Sequence, residues 1–295
     1  MLIISRQLRN VPKQLCRHRW YSEQGSTVDL AFTKNSAPAA SSGPPLVVLH
    51  GLFGSKQNWG AISRRLSQEL NRDIYSVDQR NHGDSPHKAP HTYEAMARDL
   101  LNFISSHKME RPVLVGHSMG GKVAMRAALE QPDLVSLLIV DDMVPVSFGL
   151  HHDFASYIDK MKEIEVCDVT SQKLADEMLR KVEPDVSVRQ FLLTNMKKSR
   201  DGVKGAYRSR IPLSLLGDSL ENMMMWENVD RVYEGPTLFI AGTRSPYVQE
   251  HAYPAMKRYF PNYQLEELDT GHWVHAEKPQ EFMGIVVDFI RAHQH

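Results

Sequence analysis

Ser118 stands in the stretch VGHSMGG, residues 115–121, where Gly116, His117, Ser118, Met119 and Gly120 spell G-x-S-x-G. The apolar run Arg111–Ser118 before it reads as a strand, and Met119–Glu130 after it reads as a helix. A serine on such a sharp strand-to-helix turn exposes its hydroxyl for attack on a carbonyl carbon. The helix N-terminus behind it favours the negative charge that develops there. A plain glycine turn is the competing reading, and the strand and helix on either side argue against it.

Acyl transfer also needs a base and two N–H donors for the tetrahedral oxygen. His272 lies in DTGHWVHAEKPQEF, just past the last expected strand. An imidazole titrates near neutrality, so it can take the serine proton and return it to the leaving group. His117 is expected to face away from that base. His82, His87, His91 and His275 are expected on the surface or in loops, and His151 and His152 at the entry to an inserted region. For the oxyanion hole, HGLFGS follows another apolar run and offers the backbone N–H of Leu52, with that of Met119 as the second donor. An ordinary glycine loop is the alternative there.

The orienting acid is missing from its expected place. TLFIAGTRSPYV, Thr237–Val248, reads as a buried strand and a polar turn, yet no carboxylate appears before Glu250. Two others compete at IVDDMVPV: Asp141 and Asp142 point to opposite faces if the strand continues through them. Asp269, three residues before His272, is a further candidate that also suits a strand end.

The elements that would hold these groups alternate along the chain. LVVLHG, DIYSVD, RPVLVGHS and LVSLLIVD read as buried strands, separated by helical patterns at Asn58–Leu70, Tyr93–His107 and Met119–Glu130. Such a rhythm calls for a parallel sheet covered on both faces. It lapses over residues 148–234, where charged helical patterns prevail, and resumes with Thr237–Gly242, a helix around His251–Tyr259, the strand Tyr263–Asp269 and a closing helix Gln280–Ala292. The expectation is an α/β core from 22–147 and 235–295, with an all-helical cap at 148–234. KNSAPAASSGPP, Lys34–Pro45, reads as a loop.

At 295 residues and 42% apolar content the chain can bury a large core. The first 21 residues carry five basic side chains and no acid, with apolar residues at roughly helical spacing. That composition reads as a mitochondrial presequence cleaved after Tyr21, and hence a matrix location; a disordered basic tail is the alternative. The remainder holds 30 basic and 35 acidic residues, which gives no reason to expect a nucleic-acid partner. No run of 18 apolar residues predicts a membrane span. Only Cys167 would remain after cleavage, so no internal disulfide is expected. Ligand residues at metal-binding spacing are not evident, and no metal or other cofactor is expected.

HGLFGS, VDQRNHGDSP, GHSMGGK and GHWVHAEKPQ, in that order, resemble the α/β-hydrolase fold, and more narrowly a mitochondrial and bacterial esterase group that includes the fungal ethanol acetyltransferases. The resemblance implies an acid taken from the strand beside the nucleophile's strand, three residues before a proline. Pro145 then selects Asp142. It also implies short-chain esters or acetyl thioesters as donors, acetyl-CoA among them as a substrate, with ethanol or water as acceptor. Matching water at ~55 M with ethanol at tens of millimolar needs a preference of about a thousandfold, or ~4 kcal/mol. Met223–Trp226 is either an acyl-pocket wall or cap-to-body packing. A non-catalytic binding module is the reading from a different class. Oligomeric state is not legible.

Overall fold

In four central strands, alternate residues belong to two different cores. Val47, Leu49, Leu114, Leu138, Val140 and Phe239 face one apolar layer; Leu46, Val48, Val113, Val115, Ile139 and Ile240 face the other. Side chains on a strand alternate between faces, so strands that are apolar on both must lie between helices. The computed structural model shows that arrangement. It describes residues 26–149 and 152–293. The expectations placed on residues 1–21, and on the side chains of His151 and His152, lie outside the described residues.

β1 (Phe32–Asn35) and β2 (Leu46–Leu49) are followed by α1 (Gly60–Leu70), β3 (Ile74–Val77) and α2 (Tyr93–Ser106). β4 (Val113–His117), α3 (Met119–Glu130) and β5 (Leu137–Asp141) complete the first half. After the inserted segment come β8 (Thr237–Gly242), α9 (Tyr253–Tyr259), β9 (Tyr263–Leu268), α10 (Val274–Glu277) and α11 (Pro279–Ala292). The seven-stranded sheet has the order β1-β3-β2-β4-β5-β8-β9, parallel throughout except for β1 against β3. β5 therefore lies between the strand that ends at Ser118 and the strand whose loop lacks an acid. In open sheets of this kind, ligands bind beyond the carboxyl ends of the strands.

The insertion comprises α4 (His152–Val166), α5 (Gln172–Leu179), α6 (Val186–Leu193), β6 (Met196–Lys198), β7 (Tyr207–Ser209), α7 (Leu213–Asp218) and α8 (Leu220–Met224). The antiparallel β6–β7 ribbon corrects the expectation of an all-helical segment; three-residue strands are too short to show a period of two. Its own core, built from residues such as Ile158, Met161, Leu179 and Leu216, takes in Phe53 from the loop after β2. β1 also corrects the reading of Lys34–Pro45 as loop throughout. That edge strand is exposed along three of its four residues, so it leaves no apolar run to read.

Candidate active site

Two adjacent strand ends deliver the central groups. β4 and β5 run in register, Gly116 against Val140 and His117 against Asp141, and Ser118 N–H continues the ladder to the Asp141 carbonyl at 3.0 Å. Ser118 then turns at φ 53°, ψ −118°, and α3 begins at Met119. The turn is tight enough to need two glycines. A Cβ on Gly116 would lie 2.3 Å from the Gly120 carbonyl oxygen, and one on Gly120 would lie 2.6 Å from those of Leu49 and His50.

Ser118 Oγ lies 2.9 Å from His272 Nε2 and donates to it. His272 Nδ1–H donates to Asp142 Oδ2 at 2.6 Å. This fixes the imidazole tautomer that leaves Nε2 free to accept. The backbone N–H of Gly242 donates to Asp142 Oδ1 at 2.9 Å, and the Ser245 hydroxyl donates to Oδ2. The loop that lacks an acid thus supplies two donors that hold an acid arriving from β5. Ser245 and Gly242 carried no signal in the sequence, because neither is the carboxylate that the position ordinarily shows.

Asp141 and Asp142 diverge because β5 ends at Asp141 and the chain turns left-handed at Asp142, not because the strand continues through both. Asp142, at φ 48°, turns to His272. Asp141 accepts from His275 Nδ1–H at 2.5 Å, and the His275 ring stacks on Trp59 at 4.2 Å and 13°. Among the described residues Asp141 Oδ1 is buried without a hydrogen-bond partner, and burial pushes the carboxyl pKa up. Asp269 bonds Arg244 at 2.7 Å on the surface rather than His272.

His87 is exposed, and His82 and His91 lie in loops as expected, though buried; His275 departs from its expected place, being buried in α10. His117 does not turn away from His272: its Nε2–H donates to the His272 carbonyl at 2.9 Å. Burial lowers the pKa of His117 and His82, and takes His91 down to about 3. His117, Asp141 and His275 also place donor atoms within 4.8 Å of one another. The sequence hid this cluster because its members come from three separate segments, and each already has an atom engaged.

The two oxyanion candidates flank Ser118. Met119 is the first residue of α3, where an N–H has no intrahelical acceptor. Leu52 lies in the loop after β2, beside Ser118 in the same cavity. That loop is held from several sides. Gln79 N–H donates to His50 Nε2 at 3.0 Å, and Gln79 Nε2 donates to the His50 carbonyl at 2.6 Å. Phe53 N–H donates to His82 Nε2 at 3.3 Å, which requires a neutral imidazole, and burial keeps it so. Asn195, from the insertion, donates to the Phe53 carbonyl at 2.8 Å. VDQRNHGDSP is therefore a buttress for the loop carrying Leu52.

A cavity of about 630 Å³ opens over Ser118 and His272, roofed by apolar side chains of the insertion such as Phe154, Val188, Phe191 and Leu192. A second, of about 20 Å³, lies beside Ser118 among Met119, Lys122, Phe148, Met224 and Tyr247. Met223 and Met224 are buried in the body's core and also line this small space, while Met225 is exposed.

Residues 44–279 match the family model of the alpha/beta hydrolase fold, and the chain belongs to that family. It is 42% identical to a protein of Danio rerio named sn-1-specific diacylglycerol lipase ABHD11, over 84% of this chain and 78% of that one. It is 39% identical to a probable alcohol acetyltransferase of Saccharomyces cerevisiae, over 85% and 78% respectively. Among solved structures, a marine microorganism esterase superposes with a TM-score of 0.82 at 34% identity, covering 89% of this chain and all of that one. The chain is an enzyme, a serine hydrolase or acyltransferase at the level of the family.

Proposed function

We propose that the protein transfers acyl groups through a covalent enzyme on Ser118, with acetyl thioesters such as acetyl-CoA and short-chain esters as donors, and ethanol or water as acceptor. The observation that carries this reading is the chain of hydrogen bonds from Ser118 through His272 to Asp142, facing a cavity. Ser118 Oγ forms a bond to the acyl carbon as its proton passes to His272 Nε2. The oxyanion is received by the N–H groups of Leu52 and Met119. The carbon–sulfur or carbon–oxygen bond then breaks, and the leaving group takes the proton from His272. An alcohol or water, deprotonated by the same imidazole, attacks the acyl-enzyme and restores Ser118. Asp142 holds His272 in the required tautomer and stabilises the imidazolium. No metal or redox cofactor enters these steps. Support for alcohol transfer comes from the relative named as a probable alcohol acetyltransferase.

The large apolar roof favours a second reading, in which water is the acceptor and the donor is a carboxylic ester with a long apolar arm. The relative named as a diacylglycerol lipase supports it. A mitochondrial matrix location is proposed from the basic, acid-free composition of residues 1–21; mass spectrometry of the protein from mitochondria checks it, an N-terminus at Ser22 being expected. The deciding experiment incubates the protein with acetyl-CoA, with and without ethanol, and measures ethyl acetate and acetate. Ethyl acetate that rises with ethanol and is lost in Ser118→Ala establishes the transferase. Acetate alone establishes a hydrolase. With neither product, a series of esters and acylglycerols follows. A folded protein that also fails to take a fluorophosphonate label on Ser118 would be a binding module.

A further inference from the structure

Lys122 is a buried amine that none of the steps above uses. It lies on α3, and its backbone N–H donates to the Ser118 carbonyl one turn earlier at 3.1 Å. The residue is 1% exposed, and among the described residues no carboxylate pairs with it. Its ammonium instead donates to the carbonyls of Met225 at 3.1 Å and Met224 at 3.3 Å, the end of α8. The rings of Phe148 and Tyr93 lie 5.0 Å and 5.2 Å from Nζ. Carbonyl dipoles and ring faces stabilise a cation only in part. Desolvation accordingly lowers its pKa to about 7. An ammonium has three N–H donors, and two carbonyls take two of them.

The place of this amine gives it a use. Lys122 and Ser118 line the same small cavity, together with Met119 and Leu52, the two residues proposed above to receive the oxyanion. A volume of about 20 Å³ admits only one or two water-sized groups. Its walls include Met119, Met143, Met223 and Met224, thioethers with several rotatable bonds that can adjust to a slightly larger occupant. The 630 Å³ cavity on the other side leaves ample room for the leaving group.

We propose that the small cavity is the acyl subsite, and that Lys122 makes it select short acyl groups ending in a carboxylate, such as a malonyl group, over apolar groups of the same shape. This rests on the acyl-transfer reading of Ser118. A carboxylate at the far end of a short acyl chain would accept the third N–H of Lys122 and supply the missing counter-charge, in a site already shielded from water. Charge-assisted hydrogen bonds are the stronger kind.

The test compares two thioesters with one leaving group. Malonyl-CoA and isovaleryl-CoA place a carboxylate and an isopropyl group of nearly the same shape on the same methylene. In the wild-type protein kcat/KM should favour malonyl-CoA by about tenfold or more, the discrimination one hydrogen bond to a charged group gives. Lys122→Met should erase or invert that ratio, and Lys122→Arg should retain part of it. A wild-type ratio of one or less would overturn the proposal, as would a preference that survives in Lys122→Met. Should Lys122→Met fail to fold, or neither thioester turn over, calorimetry of the two on Ser118→Ala decides: equal binding refutes the subsite, and tighter malonyl-CoA binding supports it. Fluorophosphonate labelling of Ser118 in the wild type separately shows whether the acyl-transfer reading itself has failed.

Discussion

Asp141 and Asp142 are neighbours at the end of one strand, and each bonds a histidine from one short segment, His275 and His272. The two pairs nevertheless sit in opposite surroundings. Asp142 is supplied with donors: Gly242 N–H, the Ser245 hydroxyl and His272 Nδ1–H. Its histidine reaches Ser118. Among the described residues Asp141 has one side-chain donor and an orphaned oxygen. Its histidine stacks flat on the buried Trp59 at the wall of the cavity without reaching Ser118. A carboxylate ringed by donors is held in place to orient a base. One that is buried with a single donor is a packing element whose charge is costly. Identical residue types one position apart thus serve chemistry and structure.

The largest expected effect tests the chemical half of that contrast. Asp142→Asn should lower kcat toward an activated ester by about 10⁴-fold, since an amide can favour the wrong imidazole tautomer. Asp141→Asn should cost less than about tenfold, as its histidine does not touch Ser118. Equal losses would break the comparison. The structural half is tested by His275→Ala, which leaves Asp141 without its partner. Breaking a buried pair in this way should destabilise the fold by about 3 kcal/mol. Urea unfolding measures this, and a loss confined to kcat would refute the structural role.

Ser245→Ala sharpens the comparison by making Asp142 poorer in donors. Loss of a hydrogen bond to a charged group, worth about 1.5 kcal/mol, should lower kcat about tenfold with KM little changed. A silent Ser245→Ala would mean that Gly242 N–H and His272 suffice. The smallest effect is a pH dependence. The folded pKa of Asp141 is raised from 3.8 by burial, so its contribution to stability is fully present below about 3.8 and is lost as pH rises through the higher folded value. The slope is limited to about 1.4 kcal/mol per pH unit. Subtracting the unfolding free energies of Asp141→Asn from those of the wild type across acid to neutral pH isolates it. A difference that grows with rising pH in favour of the wild type would reverse the sign.

The sequence by itself determined the sheet and the groups aimed beyond it. Runs such as LVVL and LLIVD must be sheathed on both faces, and a glycine-flanked serine between strand and helix must sit on a turn at the sheet's edge. His272 was legible because it follows the last strand. Asp142 was legible through a family phrase rather than through its own surroundings. The edge strand β1 and the β6–β7 ribbon left no periodic signal, since one is mostly exposed and the other has strands only three residues long. Only the tertiary structure decided which partner each aspartate takes, why an acid-free loop still completes the site through Ser245, and that Lys122 is buried beside Ser118. The physical reason is the same throughout. Period and composition record how one segment meets water or core, whereas a hydrogen bond spanning 100 or more residues, as from Gly242 to Asp142, depends on strand order and register.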